Sequence, residues 1–273
     1  MSATTRDESS HEEIAAEYRE LMPGASLPEV TTFAFGLTFR RNDRQFPSLL
    51  DRTSHLADGG GELLDTIRIE NTEVLPRLGA KILMRIFNVL QGMGENPASL
   101  IDAVIEKYYC YTEATPDGAC CYCGQKPCIC GTDKAATKPA RAPLPHEIRT
   151  KIAAWTLSDW QRYFNEVYGP SNRARGLDFV RTRVATETLE ANSTVRKMKG
   201  AENAAETAAL KHELLLELAD VFAWLLGLFN ALDGAPSLDE AFVARYSKGC
   251  PKCGKYPCEC GRFDYVADRK SIQ

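Results

Sequence analysis

The sequence lacks any apolar run long enough to cross a bilayer. Its longest, Leu214 to Phe229, is interrupted by Glu217 and Asp220, whereas a spanning helix needs roughly 20 consecutive apolar residues. The N-terminus, Met1 to His11, is polar and acidic and has no apolar segment of the kind an export signal carries. The expectation is a cytoplasmic protein with no membrane partner. Excess charge of one sign is also scarce: 33 Lys and Arg stand against 37 Asp and Glu, a net charge of −4. That balance gives no general attraction to nucleic acid or an anionic surface, so any phosphate binding has to be local. Histidine is rare as well, with only His11, His55, His146 and His212, none at ligand spacing from another. Gly-rich P-loop, H-E-x-x-H and Ser/His/Asp patterns are missing too, which excludes those chemistries in their usual forms.

Cysteine, in contrast, is plentiful. Eight of the ten cysteines fall into two copies of one motif, Cys120-x-x-Cys123-Gly-x-x-Pro-Cys128-x-Cys130 and Cys250-x-x-Cys253-Gly-x-x-Pro-Cys258-x-Cys260. A disulfide framework needs an oxidising compartment, which nothing else in the sequence suggests. Thiolate coordination of structural Zn²⁺ is the better reading, because C-x-x-C lets both sulfurs reach one ion and four thiolates close a tetrahedral site. Iron–sulfur or redox-active thiols are the alternatives. Spacing alone leaves open whether each knuckle holds one ion or pairs from the two copies combine. Cys110 and Cys121 lie outside the pattern and are expected to be unligated thiols.

The second half carries four acids in two i,i+3 pairs, Glu187 with Glu190 and Glu217 with Asp220. On helices, each pair shares one face. Glu187 falls on the apolar stripe Val180, Val184, Ala191 and Val195, where an acid needs a reason. The second helix is apolar nearly all round except for the stripe Glu213, Glu217 and Asp220, which runs on into Trp224. Two antiparallel helices would bring the four acids together. Clustered carboxylates repel one another unless a cation lies among them, and a hard divalent ion, most often Mg²⁺ held together with substrate phosphates, is the usual solution.

These two pairs, with the lead-in Tyr168-Gly169-Pro170-Ser171-Asn172-Arg173-Ala174-Arg175-Gly176 and the tail Gly249-Cys250-Pro251-Lys252-Cys253-Gly254, resemble MazG-like members of the all-α NTP pyrophosphohydrolase superfamily. The resemblance covers about residues 150 to 261. It implies catalytic Mg²⁺ on Glu187, Glu190, Glu217 and Asp220, and cleavage of a nucleoside triphosphate to a monophosphate and pyrophosphate. It also implies assembly of helical subunits, either as a homo-oligomer or through pairing of two copies within one chain. One departure is Thr186, where the family often has a further acid.

The knuckle is part of a wider internal repeat. Gly36-Leu37-Thr38-Phe39 echoes Gly176-Leu177-Asp178-Phe179, Thr66-Ile67-Arg68 echoes Thr194-Val195-Arg196, and Ser99-Leu100 with Tyr108 echoes Ser237-Leu238 with Tyr246. The expected fold is all-α: two tandem MazG-like helical bundles, each followed by a small four-cysteine zinc knuckle at its C-terminal end. A degenerate copy spans residues 1–130, an Ala/Pro/Lys/Thr-rich linker 131–145, and the active copy 146–273. Helices are expected over His11 to Leu21, Gly79 to Leu90, Leu100 to Tyr109, Glu147 to Tyr168, Val180 to Met198, Glu206 to Leu232 and Leu238 to Tyr246. The first copy has Gly59 opposite Glu187, Glu62 opposite Glu190, Gly79 opposite Glu217 and Ile82 opposite Asp220, so it is expected not to bind Mg²⁺. Glu70 and Glu73, close to Pro76, are expected on the surface.

The function expected is Mg²⁺-dependent NTP or dNTP pyrophosphohydrolysis in the second copy, with Glu187 or Glu190 as the general base. Phosphate donors are sought among Arg173 and Arg175 in the lead-in loop and Arg196, Lys197 and Lys199 after the first acidic helix, and a base-stacking surface at Trp224. The alternative is a nucleotide-binding sensor or a regulatory or scaffold protein whose zinc knuckles bind a partner. Few aromatics interleave the knuckles, which disfavours nucleic acid.

Overall fold

Among the described residues, four helix starts, at Ser26, Ser48, Thr156 and Ser237, carry capping boxes, and two of them matter most here. The Glu29 carboxylate accepts from the backbone N–H and the hydroxyl of Ser26, both at 2.7 Å. Asp159 likewise accepts from the Thr156 N–H at 3.0 Å while its own N–H donates to the Thr156 hydroxyl at 3.0 Å. Such capping boxes satisfy N–H groups that have no partner inside the helix. The computed structural model describes residue 21, residues 23 to 130 and residues 142 to 260. Ser26 starts α1 (Leu27–Gln45), followed by α2 (Leu49–Arg68), α3 (Leu75–Met93) and α4 (Ser99–Tyr108). A short antiparallel hairpin, β1 (Cys110–Thr112) and β2 (Thr115–Ala119), leads into the first cysteine knuckle. After α5 (His146–Ala153), Thr156 starts α6 (Leu157–Arg175), then come α7 (Leu177–Met198), α8 (Ala204–Asn230) and α9 (Leu238–Tyr246), and the second knuckle. Among the described residues, helix predominates and no helix is long and apolar enough to cross a membrane.

The two capped starts touch. Ser26 and Thr156 form an isolated antiparallel bridge, and the Leu27 N–H donates to the Trp155 carbonyl at 3.0 Å. From there the halves run in parallel: α1 packs on α3 and α6 on α8, while α2 packs on α3 and α7 on α8. The last helix of each half crosses over, so that α4 packs on α8 and α9 on α3. The knuckles cross as well. The Cys128 N–H donates to the Val167 carbonyl in α6 at 2.7 Å, and the Cys258 N–H donates to the Leu37 carbonyl in α1 at 2.8 Å. The buried apolar side chains of both halves form one core.

The halves also meet where α2 lies against α7. A Cβ at Gly60 would lie 2.9 Å from the Ala185 Cα and closer still to the Thr188 hydroxyl. At Gly61, a Cβ would meet nothing within 4 Å. One glycine is therefore required by helix contact and its neighbour is not.

Several expectations need correction. Each knuckle follows its own half in the chain, as expected, but is hydrogen-bonded to the opposite half, which was not expected. The stretch around Gly169-Pro170 is not a lead-in loop: α6 passes through it, with Pro170 inside the helix, and ends only at Gly176, whose φ is +86°. The helix expected from Glu147 to Tyr168 is split, since the Thr156 cap starts a new helix after α5. Gly36-Leu37 and Gly176-Leu177 are not structural counterparts, for Leu37 lies inside α1 and Leu177 begins α7. The hairpin over 110–119 was not foreseen. Glu70 and Glu73 are exposed between α2 and α3. The helix expected from His11 to Leu21 lies, apart from Leu21, outside the described residues, as do positions 131 to 141 of the linker.

The contrast between the two glycines gives a direct test by thermal or denaturant unfolding. Gly61→Ala is expected to stabilise by about 0.5–1 kcal/mol through the unfolded chain and helix propensity. Gly60→Ala is expected to destabilise by about 1–3 kcal/mol, because α7 must move away.

Candidate metal centres and the acidic cavity

Each cysteine motif closes on itself. The four sulfurs of Cys120, Cys123, Cys128 and Cys130 lie within 4.8 Å of one another, and so do those of Cys250, Cys253, Cys258 and Cys260. Within the first set, Cys120 and Cys130 are 3.8 Å apart and Cys123 and Cys128 are 3.9 Å apart; the matching separations in the second are 3.6 and 3.9 Å. A disulfide requires about 2.05 Å. Tetrahedral ligation with metal–sulfur bonds of about 2.3 Å places neighbouring sulfurs about 3.8 Å apart. Either set could therefore hold a metal ion such as zinc, and each set comes from one knuckle rather than from both. Gly124 and Gly254, directly after the second cysteine of each motif, have φ of +66° and +67°, the left-handed backbone that lets the chain turn back around the sulfurs. Their N–H groups donate to the Cys120 and Cys250 carbonyls at 2.8 Å. Hydrogen bonding from Cys128 pulls the Cys120 thiol down to about 5, and Cys258 does the same to Cys250, to about 4. Each knuckle thus favours at least one thiolate near neutral pH. Cys110 and Cys121 are buried and belong to neither set.

The acids of α7 and α8 converge. Glu187 lies in the core-facing row with Val180, Val184, Ala191 and Val195, and it is 2% exposed. One turn on, Glu190 reaches in from the exposed side, and Glu217 comes from α8. Carboxylate oxygens of these three lie within 4.8 Å of one another. Glu217 Oε2 is buried with no hydrogen-bond partner, a costly state for a carboxylate oxygen. Burial, then hydrogen bonding with Glu190 and the Asp220 charge, pushes Glu187 up to about 8, against the opposing pull of Arg183. Burial also raises Glu217, with Lys107 opposing. An all-oxygen donor set with one buried, unsatisfied oxygen suits a hard divalent cation such as Mg²⁺.

Asp220 stands apart from this trio. Lys107 and Tyr108, at the end of α4, bind its two oxygens. The phenol of Tyr108 is raised well above its ordinary range, first by burial and then by the Asp220 charge. The first half therefore supplies two side chains to the acidic site of the second.

Glu187 and Asp220 face a cavity of about 330 Å³. Its walls include Arg183, Arg175, Asn172, Tyr168 and Trp224, with the first knuckle at its edge. Arg183 bonds to Glu187 and lies 5.3 Å from the Trp224 ring centroid, while Arg175 lies 5.1 Å from that of Phe179. Of the expected phosphate and base contacts, Arg175 and Trp224 line the cavity. Arg173, Arg196, Lys197 and Lys199 do not. Arg173 donates to Asn165 at 2.7 Å, Arg196 to Asn192 at 3.0 Å and Lys197 to Glu213 at 2.9 Å, and Lys199 is exposed past the end of α7. Sequence reasoning missed Arg183, although its i,i+4 spacing from Glu187 signals a shared face. Lys107 and Tyr108 carried no such signal, because the crossing of α4 brings them in.

At the corresponding place in the first half, the charges are reversed. Glu62 is bound by Lys81 at 2.6 Å and by Arg85 at 2.9 Å, both from α3. A Cβ at Gly59 would lie 2.6 Å from Arg85 Nη1, so the guanidinium occupies the space a side chain there would need.

Comparison with protein-family models, curated proteins and solved structures gave no match.

The raised Glu187 fixes a pH dependence for protein freed of divalent cations. Its carboxyl holds a proton to about 8 when folded and, unfolded, only to its ordinary 4.5. Folding therefore takes up a proton, and this stabilisation is full below about 4.5 and lost as the pH rises through about 8. Melting temperature measured against pH is expected to fall over that window, and Glu187→Gln to flatten the fall. An equally steep profile in the variant would contradict this placement of Glu187.

Proposed function

We propose that the chain is a divalent-cation-dependent nucleoside triphosphate pyrophosphohydrolase with its site between α7 and α8. The observation that carries this reading is the convergence of Glu187, Glu190 and Glu217 within 4.8 Å, with a buried, unpartnered Glu217 oxygen, beside a cavity of about 330 Å³. That volume falls in the range of small-molecule sites. The motif resemblance to MazG-like enzymes agrees with it.

In this reading, Glu187, Glu190 and Glu217 would hold Mg²⁺, which would supply charge neutralisation of the triphosphate and polarisation of its phosphoryl oxygens. Arg183 and Arg175 offer guanidinium donors to phosphate oxygens from the cavity wall. Trp224 and Tyr168 offer aromatic surface to the nucleobase. Glu190, exposed on the solvent side, would take a proton from the attacking water in this reading. Water attacks the α-phosphorus and the bond to the α,β-bridging oxygen breaks. Nucleoside monophosphate and pyrophosphate leave.

A second reading has its own observation. Asp220, which the family resemblance makes a fourth ligand, is held by Lys107 and Tyr108. A protein that keeps this contact with nucleotide bound would be a sensor that binds without turnover. In both readings, the pairing of the halves takes the place of a second subunit, and each knuckle holds its own Zn²⁺ as a structural ion.

Two measurements test these points. With Mg²⁺ and a panel of canonical and deoxy triphosphates, pyrophosphate release is expected, and Glu217→Gln is expected to lower kcat about a hundredfold or more with the fold intact. Binding without product from any nucleotide would select the sensor. Native mass spectrometry is expected to find two zinc ions per chain and one in Cys253→Ser; one shared ion in the unaltered protein would refute separate sites.

A further inference from the structure

The first half contains a cavity at the place corresponding to the acidic one, with walls exchanged in the same manner. α1 contributes Arg41, α3 contributes Lys81 and Arg85, and the second half contributes Arg245 from α9 and Lys252 from the second knuckle. The cavity is small, about 70 Å³. That is room for about five or six water-sized groups.

Five cationic side chains line this space and no carboxylate does. Glu62, outside the lining, compensates Lys81 and Arg85 together. Arg41 Nε is buried with no hydrogen-bond partner, while Nη2 of the same side chain donates to Asn42 at 3.2 Å. The charges oppose one another across the cavity. Burial, then Arg85 and more weakly Arg245, lowers the Lys81 ammonium below its ordinary range. His55, in the same wall, is kept neutral by burial and by Arg85, Arg41 and Lys81. Cys250 and Cys260 of the second knuckle border the cavity, and Cys250, whose thiol is pulled down to about 4 by hydrogen bonding from Cys258, tempers its charge. Mutually repelling guanidinium and ammonium groups around a space of a few heavy atoms are the inverse of a metal site: they are relieved by an anion that accepts several charge-assisted hydrogen bonds.

We propose that this cavity binds a phosphate-type oxyanion, free or as the terminal group of a larger molecule. Its volume suits one tetrahedral oxyanion, and α1, α3, α9 and the second knuckle all contribute to its wall. The inference rests on this cavity's own charges and not on hydrolysis at the acidic site.

The test is isothermal titration calorimetry of the full, zinc-loaded chain, without Mg²⁺ and at low chloride, with inorganic phosphate, pyrophosphate and a nucleoside monophosphate. Arg175 and Arg183 line the acidic cavity, so Arg175→Gln serves as the control that separates the two sites. One site is expected, weakened about tenfold or more in the rim variant Arg245→Gln/Lys252→Gln and unchanged in Arg175→Gln. Lys81→Gln is a second variant expected to weaken binding similarly, and circular dichroism confirms the fold of each. Equal affinity for all three probes identifies the single phosphate group as the ligand, and tighter pyrophosphate or nucleotide binding identifies the end of a larger molecule. Absence of binding by all three probes, binding indifferent to both cationic variants, or binding lost in Arg175→Gln would overturn the proposal.

Discussion

The exchange of elements between the halves is the constraint on which the structure depends. Two backbone hydrogen bonds fasten it, Cys128 to Val167 at 2.7 Å and Cys258 to Leu37 at 2.8 Å. Each anchors a knuckle to the first long helix of the opposite half, and α4 and α9 cross in the same sense. Each knuckle turns back on its own four sulfurs and meets that helix through a backbone hydrogen bond. Neither half can then bury its apolar faces alone, and the shared core follows. Both cavities follow too. The acidic one takes Lys107 and Tyr108 from the first half, and the basic one takes Arg245 and Lys252 from the second.

One framework thus carries opposite electrostatics at two corresponding places. The difference comes from a few positions on the helices that face each cavity. In the second half, Glu187 occupies a core position on α7, and α8 offers Asp220 and the small Ala223 to the cavity. In the first half, α2 has Gly59 and α3 has Lys81 and Arg85. The glycine is what makes the reversal possible, since Arg85 fills the space over it. Loss of an acidic side chain and gain of a buried guanidinium are therefore one packing event.

What the sequence revealed follows the same physics. Local periodicity and spacing were enough for the helical class, for the eight clustered cysteines though not for how they group, and for the facing of Glu187, Glu190 and Glu217, since i,i+3 spacing and closely spaced cysteines are short-range facts. The capping boxes at Ser26 and Thr156 were equally local, and they would have placed the repeat register more reliably than the Gly-Leu echo, which falls inside α1 in one half and at a helix start in the other. The crossing was illegible. Nothing near Lys107 or Tyr108 indicates that they meet Asp220, more than a hundred positions away. Arg173, Arg196 and Lys197 were plausible by proximity in sequence, yet polar partners hold them along their own helices or against Glu213.

Clustered carboxylates need positive charge from somewhere, and the two halves meet that need differently. The first half has built its cations into α3, where Lys81 and Arg85 hold Glu62 ionised: together they outweigh the upward push of burial and leave its pKa lowered. The second half has only partial compensation. Lys107 serves Asp220 and Arg183 serves Glu187, yet burial and the neighbouring acids still push Glu187 up to about 8. Glu217 rises as well, and one of its buried oxygens has no donor. Side chains alone therefore leave the trio short of positive charge. A divalent cation would restore the balance by drawing both carboxyls back to their ionised forms. The same cation would weaken the claim of Lys107 on Asp220. Under the proposed metal binding, metal affinity, the charge state of Glu187 and the grip of α4 on α8 would be one coupled equilibrium, in which the first half would take part through the helix it lends.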